Sequence, residues 1–247
     1  MSHTKRRPDD LPPTIAMIGP DGSGKSTIAH RVTAALPVPT RYVYMGVNLE
    51  SSREMLPTTR LVLSAKRRAG RRPDMTAGSA NKRAGVLGTV RSVVRITAWI
   101  AEEWYRAAIA ARARRRGQVV IFDRHFFCDY YATDVRPPEP GAVDRPRPLA
   151  SRLHGAVLRR WYPRPDVTFL LDAPAAVLFA RKGEGTIESI ERRRAEYRDL
   201  ADVLPNFTTI DVDRPIETVV ADLVDRIGVI VAGAPTVGEP LPSGAVR

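Results

Sequence analysis

The chain has 247 residues, 43% of them hydrophobic, which suits one soluble α/β domain with ample core. Its single cysteine, Cys128, excludes an internal disulfide, and no apolar run approaches the roughly 18 residues of a spanning helix, so a reducing cytoplasm without a membrane span is expected. The formal net charge is +12, nearly all from arginine because only Lys5, Lys25, Lys66, Lys82 and Lys182 are lysines, a balance suited to nucleotides, nucleic acids or acidic surfaces.

Residues 1–13 read as a disordered basic tail without the apolar core of a signal peptide. Thr14 to Ile18 is an apolar run and predicts a first strand buried on both faces. It enters Gly19-Pro20-Asp21-Gly22-Ser23-Gly24-Lys25-Ser26-Thr27, whose Gly-x-x-x-x-Gly-Lys-Ser spacing is the P-loop, or Walker A. Glycines there let the backbone approach an anion, and successive N–H groups cup phosphate oxygens. The following helix adds the positive end of its dipole. Lys25 is expected to reach the transferable phosphate and Ser26 to ligate Mg²⁺. A helix is predicted from Lys25 to Leu36, stopped by Pro37 and Pro39, and a second strand over Arg41 to Gly46.

Residues 51–85 form a basic insert, expected to be mobile; within it the stretch from Lys66 to Arg83 sets seven Lys or Arg against one acid, Asp74. It reads either as a solvated loop or as a polyanion-binding cap. Val86 to Arg116 has helical periodicity, with Val90, Val94, Ala98, Ala101, Trp104, Tyr105, Ala108 and Ile109 as the apolar stripe. At about 46 Å a straight helix of that length exceeds a small domain, so a bend or break near Arg95–Thr97 is expected. Glu102 and Glu103 interrupt the stripe and read as solvated neighbours of Arg106, with Glu102 also a candidate contact to substrate.

Gln118 to Phe122 is the third strand and runs into Asp123-Arg124-His125. An acid at the carboxyl end of a buried strand is the Walker B arrangement, where parallel sheets bind ligands. Asp123 can hold Mg²⁺ or orient the acceptor, and Arg124 can clamp an anionic group. The aromatic stretch Phe126 to Val135 can wall a flat ring or pack the core. A short helix over Leu149–Trp161, a fourth strand over Asp166–Asp172 and a fifth over Phe207–Val212 follow. Pro174 and Pro215 are each expected at the first position of a helix. Residues 233–247 read as a flexible tail. Five strands alternating with helices predict a parallel α/β sheet.

The P-loop, Asp123-Arg124-His125, Leu171-Asp172-Ala173-Pro174 and the stretch Glu191 to Ala201 (ERRRAEYRDLA) resemble thymidylate kinases, in that family's order and near its spacing. The resemblance spans most of residues 14–232 and implies one P-loop kinase domain, a three-layer αβα fold with sheet order 2-3-1-4-5. It implies ATP with Mg²⁺, held by Gly19, Asp21, Gly22, Ser23, Gly24, Lys25, Ser26 and Thr27, with Arg192 and Arg194 behind a lid near 181–191. It implies Lys25, Asp123, Arg124, Arg181 and Lys182 as the catalytic set, and Ser26 and Asp123 as the metal-side donors. The acceptor side falls to Arg124, His125, Phe127, Tyr130, Tyr131 and Glu102. The family's Arg-Glu-Pro motif after the second strand is replaced here by Tyr44-Met45-Gly46-Val47-Asn48-Leu49-Glu50, and its Ser and Tyr-Gln pair after the third by Phe127, Cys128, Tyr130 and Tyr131. The donor half matches the family and the acceptor half departs from it.

The expected activity is therefore transfer of the ATP γ-phosphate to a nucleoside monophosphate, dTMP-like or related. A kinase of a nucleoside or sugar hydroxyl is the alternative, with Asp123 or Glu50 taking the proton. A P-loop ATPase switch docking on nucleic acid through the basic insert is the alternative from another class. The partner is a small acceptor, and the chain is a monomer or a homodimer.

Overall fold

The computed structural model describes residues 11–46, 56, 86–137 and 147–233, with backbone alone for 86–95. Five strands, β1 (Thr14–Ile18), β2 (Thr40–Tyr44), β3 (Val119–Asp123), β4 (Val167–Asp172) and β5 (Phe207–Asp211), form one sheet. Every pairing is parallel and the order is β2-β3-β1-β4-β5, the order expected of a P-loop kinase. β1, β3 and β4 are buried along their whole length, as central strands covered on both faces must be.

Because side chains alternate along a strand, the sheet feeds two cores. Ile15, Met17, Ile121 and Phe169 pack against α1 (Lys25–Ala35) and α7 (Ile216–Val231). Ala16, Ile18, Val120, Phe122 and Leu170 pack on the other side with residues of α2 (Val86–Arg115), α3 (Phe126–Tyr130) and α4 (Leu149–Arg160). A π-helical turn, Tyr131–Val135, follows α3 directly. The remaining helices, α5 (Ala175–Lys182) and α6 (Ile187–Arg198), lie between β4 and β5 in the chain.

Three expectations change. α2 runs unbroken through Arg95–Thr97. That segment holds no proline, and length alone does not break a helix. The apolar stripe on α2 faces the wrong way: Ala98, Ala101 and Ala108 are exposed, and Trp104 and Tyr105 are 41% and 38% exposed. The buried face instead carries Trp99, Glu102, Glu103, Arg106, Ala107, Ala110 and Ala113. Pro174 and Pro215 sit one residue before their helices rather than at the first position. Strand and helix ends otherwise move by one or two residues.

The 51–85 insert lies outside the described residues except for Leu56, as do the tail residues 1–10 and 234–247. Residues 11–13 are tied to the fold: Arg114 Nε donates to the Pro12 carbonyl at 2.6 Å, and the Val120 N–H donates to that of Pro13 at 3.2 Å.

Candidate active site

The conformation of the glycine-rich loop, the expected phosphate cradle, is built by local sequence. Gly24 has φ +78° and opens α1 as its N-cap. Gly19 and Gly22 are fixed by close approach: a Cβ would lie 2.3 Å from the Leu171 carbonyl oxygen at Gly19, and 2.3 Å from that of Leu178 at Gly22. Only glycine lets the loop nest against the end of β4 and the middle of α5. Lys25 is buried, and its Nζ donates to the Pro20 carbonyl at 2.7 Å and to Ser23 Oγ at 3.4 Å. Burial, and then the nearby Arg124 charge, push the Lys25 ammonium down to about 7 against the pull of Asp21, Asp129 and Asp123. Ser26 and Thr27 stand exposed on the first turn of α1.

The carboxyl end of β3 supplies the second part. Asp123 is fully buried; its Oδ2 accepts from the Tyr42 hydroxyl at 2.8 Å, and its Oδ1 has no hydrogen-bond partner among the described residues. Burial and then the Asp123 charge raise the Tyr42 phenol well above its ordinary range, so Tyr42 remains a donor. The Tyr42 ring stacks on His30 of α1, centroids 3.9 Å apart. Next along the chain, Arg124 takes φ +69°, the left-handed region that costs a non-glycine residue about 1–2 kcal/mol. Its N–H donates to the Met17 carbonyl at 3.0 Å, and its guanidinium donates to Asp21 Oδ1 at 2.9 Å. Lys182 reaches the same Asp21 oxygen at 3.4 Å. Burial opposes ionisation of Asp21, but Arg124, Lys25 and Lys182 together outweigh it and hold the carboxyl near about 2.

The two lid cations separate. Lys182 points to the P-loop, whereas Arg181 donates to the Val212 carbonyl at 3.0 Å, beyond β5. A four-residue connection, Gly183 to Thr186, joins α5 to α6, which begins with a capping box between Thr186 and Ser189. Arg192 is exposed on α6. Arg194 is engaged at the end of β4: it grips Asp172 with both Nε (2.7 Å) and NH2 (3.2 Å), and Arg198 adds a third bond at 2.7 Å. A bidentate guanidinium–carboxylate pair at the end of β4 holds α6 to the sheet and leaves that arginine engaged.

On the acceptor side several expected residues turn inward. His125 is buried and lines a cavity of about 80 Å³ under α2 with Met45, Ala107, Phe122 and Tyr162. Burial pushes its imidazole down to about 3, so it is neutral there. Phe127 is a core residue, 1% exposed, with the Arg164 guanidinium over its ring. Glu102 is not solvated: it is 1% exposed and meets the buried Arg106 at 2.9 Å. Arg106 in turn donates to the carbonyls of Tyr44 (2.9 Å) and Gly46 (2.6 Å), and Glu102 Oε2 accepts the Leu56 N–H at 3.0 Å. Glu102 thus anchors the exit of β2 through Arg106, because a buried charge must be paired. Tyr130 and Tyr131 are half-buried; Tyr130 lies edge-on to His154, and Tyr131 packs against Phe127.

Residues that sequence reasoning passed over complete this side. Asp129 Oδ1 accepts from the Tyr197 hydroxyl at 2.7 Å, and Arg193 NH2 donates to the Asp129 carbonyl at 3.1 Å. Asp129 also acts on the charges of Lys25 and Arg124. Behind it, His154 sits between Asp134 (2.6 Å) and Glu103 (2.8 Å). The acids lie in familiar-looking stretches, but their partners are tens of residues away, so no local pattern exposes them.

The residues present fit a nucleotide with Mg²⁺: a positive-φ cradle, a buried lysine, an exposed Ser26 hydroxyl and an orphaned Asp123 oxygen. No group of three or more His, Cys, Asp or Glu that could hold a metal ion occurs among the described residues. No protein-family model matches the chain. Among solved structures it is similar to deoxyadenosine kinase from M. mycoides, determined with the products dCMP and a flexible dCDP bound. The TM-score is 0.51 at 16% identity, over 87% of this chain and 98% of that one. The likeness shows a shared α/β fold. It does not single out thymidylate kinases within that fold. No helix among the described residues is long and apolar enough to cross a membrane.

Proposed function

We propose that this chain is an ATP-dependent phosphotransferase acting on a small acceptor of the nucleoside class. One observation carries the reading: a phosphate cradle with buried Lys25 meets, at one sheet edge, a backbone-strained Arg124 and an Asp123 with one unpartnered oxygen. Strain and orphaned polar atoms persist where function repays them. The fold shared with deoxyadenosine kinase supports the same reading.

In the proposed reaction the bond between Pγ and the β–γ bridging oxygen breaks, and a bond from the acceptor oxygen to Pγ forms. When bound, Mg²⁺ offsets charge on the β- and γ-phosphates; Ser26 and Asp123 are the residues that would hold it. Lys25 leaves the Pro20 carbonyl to bind the phosphates. Lys182 moves its charge from Asp21 toward the γ-phosphoryl group, with Arg181 and Arg192 the further cations of that segment. Arg124 is already answered within the chain by the carboxylates of Asp21 and Asp129, which suits a hydroxyl acceptor better than a second phosphate. A hydroxyl acceptor needs a carboxylate to take its proton. Of the two carboxylates expected for that step, Asp123 stands here on the metal side, and Glu50 lies outside the described residues.

A nucleoside monophosphate is the second reading, favoured by Arg124, whose guanidinium could exchange Asp21 for an acceptor phosphate. The test is ADP formation from ATP with panels of nucleosides, sugars and nucleoside monophosphates. The proposal expects acceptor-dependent ADP with a nucleoside. Turnover with monophosphates alone selects the second reading. ADP formed without an acceptor and raised by polynucleotide selects an ATPase switch instead.

A further inference from the structure

Asp123 is buried with its two oxygens in different states, and one side chain makes the difference. Tyr42 faces Ile121 across the β2–β3 ladder and so stands diagonal to Asp123, within an aromatic side chain's reach. Its hydroxyl binds Oδ2 at 2.8 Å, which leaves Oδ1 free. Without that donor a terminal carboxylate torsion is broad, and either oxygen could turn toward the site. The tyrosine is itself held. His30 stacks on its ring with the planes 23° apart, and His30 lies on α1, the helix that presents Ser26 in its first turn.

We infer that Tyr42, braced by His30, is a positioning residue that aims Asp123 Oδ1 at the metal side of the phosphate cradle. The inference rests on the kinase reading above, with Asp123 as a metal-side carboxylate. It links the two metal-side donors mechanically: α1 carries Ser26 and, one turn on, the ring that fixes the tyrosine that fixes Asp123. Carboxylates that hold metals are oriented by outer hydrogen-bond donors of this kind, and their loss costs about 10-fold or more in metal affinity.

The experiment is a Mn²⁺ titration of the full chain with the non-hydrolysable analogue adenylyl-imidodiphosphate, read by electron paramagnetic resonance. Asp123→Asn is the reference for complete loss. Tyr42→Phe keeps the ring and its stack and removes only the hydroxyl. It is expected to weaken Mn²⁺ about 10-fold while leaving analogue affinity in EDTA within twofold. His30→Ala keeps the hydroxyl and frees the ring, and should give a smaller loss in the same direction. Unchanged Mn²⁺ affinity in Tyr42→Phe overturns the inference. So does an equal loss of analogue affinity in EDTA, which would mean Tyr42 merely packs the loop. Retained Mn²⁺ affinity in Asp123→Asn overturns it at the premise. If the wild-type chain binds no analogue, the kinase reading itself fails, and this inference with it.

Discussion

Lys25 and Glu102 are both buried charges, and they are buried for opposite ends. Lys25 rests on a loop carbonyl that a phosphate can replace, and burial holds its ammonium down to about 7. Replacing it should therefore cost catalysis rather than folding. Lys25→Met is expected to lower ATP turnover by at least about 100-fold with a melting temperature at or above wild type. Steady-state ADP release and a circular-dichroism melt check both halves. Glu102 belongs to a fully committed pair with Arg106. Removing it leaves an uncompensated guanidinium in the core, which should cost about 3–5 kcal/mol. Glu102→Ala should show that loss in a urea titration. A raised acceptor KM at undiminished stability would instead restore the substrate-contact role. The sequence made Lys25 legible because its motif is contiguous. Glu102 was misread because its partners include the carbonyls of Tyr44 and Gly46, about 60 residues back through Arg106.

At the scale of elements, strands proved easier to read than helix faces. β1, β3 and β4 are buried on both sides, so a plain apolar run betrays them. α2 departs from the usual rule: Glu102, Glu103 and Arg106 point inward, Glu102 paired with Arg106 and Glu103 with His154 of α4, while Trp104 and Tyr105 stay partly exposed. Apolarity alone picks the wrong face when ion pairs fill the right one. The π-helical turn had no sequence signature either. It is held from outside, because Gly155 lets α4 lie against it; a Cβ there would sit 2.0 Å from the Asp134 carbonyl oxygen. A contact that short must push the two backbones apart. Gly155→Ala is expected to destabilise the fold by about 1–3 kcal/mol. It should also part His154 from Asp134, and a histidine resonance no longer shifted to high pH would report that separation by NMR.

Over the whole molecule, the proposed donor half of the site is written in contiguous sequence and the proposed acceptor half is assembled by the fold. Tyr42–Asp123, Tyr197–Asp129 and Arg124–Asp21 join residues 81, 68 and 103 positions apart. Glu103–His154–Asp134 is the same kind of construction, linking α2, α4 and the π-helical turn, with Tyr130 against the imidazole and the Tyr162 hydroxyl on the Glu103 carbonyl. Burial disfavours a charged imidazole here, but hydrogen bonds to Asp134 and Glu103 outweigh it and raise His154 from 6.5 to about 9. Burial also raises the Glu103 carboxyl, and the bonds from His154 and Trp99 pull it only part of the way back. The sign follows from the folded chain holding the His154 proton more tightly than the unfolded chain. That stabilisation is complete below pH 6.5, declines as pH rises, and is spent above about 9. A shift from 6.5 to about 9 corresponds to about 3 kcal/mol. Lys25, held down to about 7, gives the opposite slope above that pH, because there the unfolded chain binds its proton more tightly. The test is therefore read in the Lys25→Met background, where unfolding free energy from urea titrations should fall across pH 6.5–9. Adding His154→Gln should lower stability at pH 6 and remove most of that slope. A slope that survives the second substitution would assign the proton to a different group and dissolve the lock between α2, α4 and the π-helical turn.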